Sequence, residues 1–97
     1  MIRVNVSPKR IEVIGHSGFD EIGRDIVCSA VSSIITTSIN GILSINDDAV
    51  CYRYRKAVLV IEVKSDDQIT RKLLDNMVYL IKDLAKDYPE NVKVKEF

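Results

Sequence analysis

The sequence has little cysteine and histidine, few aromatic residues and no tryptophan. Of 97 residues, two are Cys, one is His and 6% are aromatic. Two cysteines are too few for the disulfide scaffold of a small secreted protein. With a single His they are also too few for a zinc site built from Cys and His alone. We therefore expect reduced thiols, no metal ion and no cofactor.

The chain also has no excess charge of either sign. Fourteen Lys and Arg balance fourteen Asp and Glu, so the formal net charge is zero. No general field is left to attract nucleic acid or an anionic membrane, and such binding would need a local patch. The one candidate patch is Tyr-Arg-Tyr-Arg-Lys at 52–56, and alternation in a strand explains it more simply. We expect no direct nucleic acid partner and no membrane partner.

Residues 1–5, Met-Ile-Arg-Val-Asn, lack the basic-then-apolar order of a signal peptide, and we expect a cytoplasmic protein. The uncharged stretch 26–46 has the length of a membrane-spanning helix. However, Ser, Thr and Asn interrupt it throughout, which is unusual for a helix that faces lipid. We expect a largely buried helix of a soluble domain.

The length and the absence of repeats or linkers predict a single domain over residues 1–97. Hydrophobic periodicity predicts two helices, one starting after Asp25 and one after 65–67 and ending before Pro89. The same analysis predicts five strands, at 2–6, 11–14, 49–54, 57–63 and 92–97. The resulting order, ββαββαβ, indicates an α+β fold with a mostly antiparallel sheet and two helices, one of them largely buried.

The residues suited to chemistry are concentrated between positions 15 and 32. Asp25 is a good helix N-cap, which places Cys28 in the first turn among N–H groups that have no intrahelical partner. The positive end of the helix favours a thiolate, and the free N–H groups around Val27 and Cys28 are candidate oxyanion donors. His16 lies on a loop that must return to this helix start, so its imidazole is a candidate general base.

Each of these residues also has a purely structural interpretation. A Cys in an uncharged helix is usually a small buried hydrophobe, and a lone His is usually structural. Asp25 either caps the helix only or also orients the imidazole. Ser32 lies one turn after Cys28 on the same helix face. Cys51 lies in a strand pattern, where we expect it to pack in the core.

The loop before the helix is rich in glycine, with Gly15, Gly18 and Gly23 inside nine residues. Glycine raises the entropy of the unfolded chain, so this content is costly unless the backbone must bend sharply or move. Phe19, in the same loop, is placed to cover a peptide-binding pocket. The loop is therefore a second reason to place a functional site here.

Two segments together resemble the signature of the ribosomal-processing cysteine protease family. They are Gly-His-Ser-Gly at 15–18 and Gly-Arg-Asp-Ile-Val-Cys-Ser-Ala-Val-Ser at 23–32, and the signature is written G-H-x-G then G-x-D-I-V-C-x-A-V-S. Ser17 and Ser29 stand where family members commonly have alanine. Chain length and element order match the family from end to end.

The resemblance implies a bacterial cysteine endopeptidase that removes the N-terminal extension of large-subunit ribosomal protein twenty-seven. Cleavage in that family falls after two phenylalanines and before alanine. The resemblance implies Cys28 as nucleophile and His16 as general base, with Asp25 and Ser32 at supporting positions. It also implies a homodimer.

The same resemblance implies that the loop between the His and the Cys gates the site. The gating residues would be Gly15, Gly18, Phe19 and Gly23. One alternative stays open, a non-catalytic ribosome-associated binding module. In that case the loop binds a partner and Cys28 only packs.

Overall fold

The computed structural model of the chain describes residues 1–15, 18, 20–21 and 25–97. Its elements are β1 (Ile2–Ser7), β2 (Arg10–Ile14), α1 (Ile26–Ile45), β3 (Val50–Arg55), β4 (Val58–Val63), α2 (Gln68–Asp87) and β5 (Val92–Glu96). The predicted order ββαββαβ is confirmed, and every strand boundary lies within one residue of its prediction.

The five strands form one sheet in the order β3-β4-β2-β1-β5. All neighbouring pairs are antiparallel except β1 and β5, which are parallel. The predicted mostly antiparallel sheet is therefore confirmed. Strands β3 and β5 are the two edges, and this placement decides which surfaces of the molecule stay open.

Both helices pack on the same face of the sheet, where one hydrophobic cluster joins them to the strands. The cluster contains inward-facing residues of β1 and β4, such as Val4 and Ile61, which have no exposed surface. Alternation along each strand sends the residues between them to the other face. Helix α2 adds Met77 and Ile81, also fully buried.

Helix α1 buries a single stripe rather than most of its surface. The stripe has the three- and four-residue spacing of one helix face and consists of Val27, Val31, Ile35, Ile39 and Ile42. The expectation of a largely buried helix is wrong outside this stripe, because α1 contacts the sheet and α2 on one side only and its hydroxyl side chains lie mostly in solvent. By length and composition α1 is long enough to cross a membrane, a test that core helices of soluble proteins also pass.

The edge strand β3 is exposed along almost its whole length. After buried Val50, every residue from Cys51 to Arg55 is exposed. The expected core position of Cys51 is therefore wrong. An edge strand has a neighbour on one side only, and Cys51 lies opposite Glu62 on the sheet face that no helix covers.

Candidate active site

The buried carboxylate of Asp25 begins helix α1. Its Oδ1 accepts hydrogen bonds from the backbone N–H groups of Val27, at 3.0 Å, and Cys28, at 2.9 Å. Asp25 is only 5% exposed and has the extended backbone of an N-cap residue. The predicted cap is confirmed, and it fixes the backbone of the first helical turn.

Cys28 lies in this first turn, as predicted, and is partly buried against the hydrophobic core. The N–H groups of Val27 and Cys28 are not free, since both donate to Asp25. In this structure the two candidate oxyanion donors are therefore engaged in capping the helix. The carboxylate also places a negative charge at the positive end of the helix, which offsets the effect of the helix dipole on the thiol.

An open pocket of about 240 Å³ lies between the start of α1 and the β3–β4 hairpin. Cys28 and Ser32 both line it, so the structure brings these two predicted residues together. Most of the lining is apolar: it comprises Ile2, Val13, Gly15, Cys28, Val31, Ser32, Ile35, Thr36, Tyr54, Lys56, Ala57 and Leu59. Such a site can bind an apolar side chain next to the Cys28 thiol.

The pocket continues along α1 into a second hollow of about 150 Å³. The two share Ile35, Thr36, Tyr54 and Leu59 as lining residues. Tyr52 lines the second hollow, and its ring meets that of Tyr54 edge-on at 6.4 Å. Together they form one groove between helix α1 and edge strand β3, which we call the α1–β3 groove.

Gly15 occupies a position that only glycine tolerates. Its φ is +88°, and a Cβ built on it would lie 2.7 Å from the carbonyl oxygen of Met1. Its N–H donates to the carbonyl of Ala57 at 3.1 Å, which ties the end of β2 to the hairpin beside the pocket. Gly18 also has a positive φ, +70°, but a Cβ added there would meet no atom within 4 Å.

Three predicted site residues, His16, Phe19 and Gly23, lie outside the described residues. Within the described ranges, no three His, Cys, Asp or Glu side chains form a group that could hold a metal ion.

Sequence reasoning missed the contribution of the β3–β4 hairpin to the pocket. Tyr54, Lys56 and Leu59 line it opposite Cys28. Lys56 has a φ of +54°, which is unusual for a residue other than glycine. The sequence signal was the Tyr-Arg-Tyr-Arg-Lys run, which alternation alone assigned to an ordinary strand.

Comparisons with known proteins agree in sequence and in fold. A family model described as cysteine protease Prp matches residues 1–93. The ribosomal processing cysteine protease Prp of Mycoplasma genitalium is 31% identical, over 99% of this chain and 96% of its own. The protein of that name from Staphylococcus aureus strain Mu50 is 26% identical, over 96% of this chain and 92% of its own.

Among solved structures, the crystal structure of an essential ribosomal processing protease Prp from S. aureus, in complex with a covalently linked product peptide, superposes with a TM-score of 0.94. That alignment covers all of both chains at 21% identity, so it supports the fold. The sequence matches carry the assignment further: this chain belongs to the cysteine protease Prp family.

Proposed function

We propose that the chain is a cysteine endopeptidase that removes the N-terminal extension of large-subunit ribosomal protein twenty-seven, cleaving after Phe-Phe and before Ala. The observation that carries this proposal is the position of Cys28, a thiol in the first turn of α1 that lines an open apolar groove. The names of the curated relatives, ribosomal processing cysteine proteases, support the substrate class.

In the proposed reaction, the imidazole of His16 takes the proton of the Cys28 thiol. The sulfur attacks the carbonyl carbon of the residue before alanine, and the tetrahedral oxyanion collapses to a thioester as the amine leaves with the proton from His16. His16 then removes a proton from water, which attacks the thioester and releases the acid and the Cys28 thiol. Every proton is accounted for by the His16–Cys28 pair.

The capping bonds of Asp25 support a proposed role of His16 in activating the thiol. Because Asp25 Oδ1 occupies the N–H groups of Val27 and Cys28, the helix end offers the sulfur little net positive potential. A charged imidazole beside the sulfur is then the main stabilisation of the thiolate. The oxyanion takes its donors from groups other than these two amides.

The shape of the α1–β3 groove supports recognition of two successive large apolar side chains. The hollow beside Cys28 and the hollow beside Tyr52 are contiguous, and Ile35 and Leu59 line both. Two phenylalanine rings placed there would bury apolar area and contact the Tyr54 ring. Because the chain as a whole carries no net charge, the apolar groove rather than bulk charge selects the substrate.

The proposal includes a cytoplasmic homodimer whose loop between His16 and Cys28 gates the groove. The groove between α1 and α2 supports a second copy as occupant of that face. It is lined by small and apolar residues, among them Ile34, Gly41, Leu73 and Leu80. Light scattering of the purified protein would give twice the monomer mass, whereas the monomer mass at all concentrations would contradict this part of the proposal.

Cleavage of a peptide with a Phe-Phe-Ala junction tests the activity, with a peptide in which both Phe are Ala as substrate control. The two cysteines give matched variants. We expect Cys28→Ala to abolish cleavage and Cys51→Ala, which changes an exposed thiol on the uncovered sheet face, to leave it unchanged. Mass spectrometry of a slowly turned-over peptide should find the acyl group on the Cys28 peptide.

Two results would contradict the proposal. If Cys28→Ala cut the peptide as fast as the parent protein, Cys28 would not be the nucleophile. If folded parent protein bound the peptide without cutting it, the alternative of a non-catalytic binding module would replace the protease.

A further inference from the structure

The face of the sheet opposite the helices gathers basic side chains from distant parts of the sequence. The register places one alternate set of residues from all five strands on this face, which we call the open face. Its charged members are Arg3, Arg10, Glu12, Arg53, Arg55, Glu62, Lys93 and Lys95. Six are basic and two acidic, so the open face carries a net of four positive charges on a chain whose net charge is zero.

The two carboxylates of the open face form salt bridges with two of its six basic residues. Glu12 pairs with Arg10 at 3.6 Å, and Glu62 pairs with Arg53 at 3.0 Å. No described carboxylate forms a salt bridge with the other four cations, which are Arg3, Arg55, Lys93 and Lys95. All four are exposed, so their charge is available to a ligand.

Three of these four cations line one shallow groove between β1 and β5. The groove has a volume of about 540 Å³ and is lined by Met1, Arg3, Asn5, Lys93, Lys95 and Phe97. Phe97 is 71% exposed, and its backbone N–H donates to the carbonyl of Val6 at 2.8 Å, which places the ring beside the sheet. The Nζ of Lys95 lies 5.2 Å from the centre of this ring.

We propose that the open face binds single-stranded RNA, with the β1–β5 groove as its centre. Cations that follow a groove contact successive phosphates, and an exposed aromatic ring offers a base a stacking surface. The expectation of no nucleic acid partner used the net charge of the whole chain, whereas the register separates the charges by face. The charge argument is independent of the proposed function, whereas the choice of RNA over DNA rests on the proposed ribosomal substrate.

A second copy of the chain fits this face poorly. A two-fold interface would oppose identical surfaces, so Arg3, Lys93 and Lys95 would meet the same cations of the partner. Like charges across an interface disfavour it, whereas a phosphate backbone complements them.

Fluorescence anisotropy with a labelled twelve-nucleotide RNA of mixed sequence tests the proposal. The full chain carrying Cys28→Ala is used, so that the result is independent of peptidase activity. With four phosphate contacts we expect binding to weaken about fifty-fold between 50 and 200 mM salt. Absence of binding at 50 mM salt, or binding that salt does not weaken, would overturn the proposal.

Two double variants with the same change of net charge locate the site. Lys93→Gln with Lys95→Gln removes two open-face cations, whereas Lys72→Gln with Lys86→Gln removes two exposed cations from α2, on the other side of the sheet. We expect the first pair to weaken RNA binding at 50 mM salt by about ten-fold or more and the second to change it little. Equal losses would overturn the proposal, because they would reflect net charge only.

A third variant and a competitor decide between RNA and other polyanions. Phe97→Leu keeps an apolar side chain without a stacking surface, and we expect affinity to fall about five-fold or more. Unchanged affinity in this variant, or equal binding of polyglutamate, would overturn the assignment to single-stranded RNA. The Lys93→Gln and Lys95→Gln double variant with Cys28 intact should cleave the Phe-Phe-Ala peptide as fast as the parent. This control tests RNA binding independently of the proposed peptidase activity.

Discussion

The carboxylate of Asp25 holds the backbone N–H of Cys28 at 2.9 Å, so the group that starts helix α1 also positions the proposed nucleophile. The same oxygen holds the N–H of Val27. Asp25, expected from the sequence to act near the thiol, therefore stabilises the backbone at the start of the helix. Its charge offsets the helix dipole at the sulfur.

Substitution of Asp25 should separate capping from any action on the imidazole. We expect Asp25→Ala to lower the free energy of unfolding by about 1–2 kcal/mol, because the N–H groups of Val27 and Cys28 lose their acceptor. Asp25→Asn keeps an N-cap oxygen and should cost less and retain most cleavage. Urea denaturation and peptide cleavage measure the two effects. A stable Asn variant with cleavage reduced about 100-fold or more would instead assign Asp25 to the imidazole.

Three glycines form a graded test of backbone conformation, two of them before helix α1 and one inside it. We expect Gly15→Ala to destabilise the fold most, because its φ of +88° is strained for alanine and its Cβ would meet the Met1 carbonyl. Gly18→Ala has the positive φ without the clash and should cost about 1–2 kcal/mol. Gly41→Ala, inside α1 with open space around it within one chain, should stabilise the fold of the single chain by about 0.5–1 kcal/mol. Thermal unfolding of all three checks this order, and equal effects at Gly15 and Gly18 would contradict the clash.

Local patterns in the sequence predicted the elements and the helix cap because those features depend on near neighbours. Asp25 is three residues before Cys28, and its preference for the N-cap is a property of its own side chain. Alternation likewise identified each strand within one residue. Such signals do not extend beyond a few residues along the chain.

Strand order depends on contacts between segments that are distant in the chain. The features that follow from strand order were therefore not predicted from the sequence. Cys51 follows a buried valine in a strand, yet it is exposed because β3 is an edge. Lys93 and Arg3 are 90 positions apart and share a face because β1 pairs with β5. The lining of the groove by Tyr54 and Lys56 has the same origin, since α1 happens to lie over β3.

Acid should weaken the start of helix α2 through Asp67. The pKa of this carboxyl is lowered from 3.8 to about 2, first by the Ser65 hydroxyl and then by the N–H and hydroxyl of Thr70. A carboxyl whose folded pKa lies below its unfolded value stabilises the fold above the unfolded pKa and loses that effect as pH falls through the folded one. We therefore expect the stability advantage of the parent over Asp67→Asn to be constant above about pH 4 and to disappear near pH 2.

Urea denaturation of the two proteins at pH 6, 4, 3 and 2 checks this window. Asn is also a good N-cap, so the comparison isolates the charge of Asp67 from the loss of a capping oxygen. A difference between the two midpoints that persisted unchanged at pH 2 would contradict the role of the carboxylate.

Alkylation of the two cysteines should respond differently to the loss of His16. Cys51 is exposed on the sheet face opposite the groove, so its alkylation in Cys28→Ala protein should not change when His16→Ala is added. In Cys51→Ala protein, the proposed imidazole activates Cys28 as a nucleophile, so adding His16→Ala should slow its alkylation. Iodoacetamide labelling followed by mass spectrometry measures both rates, and a Cys28 rate that is the same with and without His16 would exclude activation of this thiol by His16.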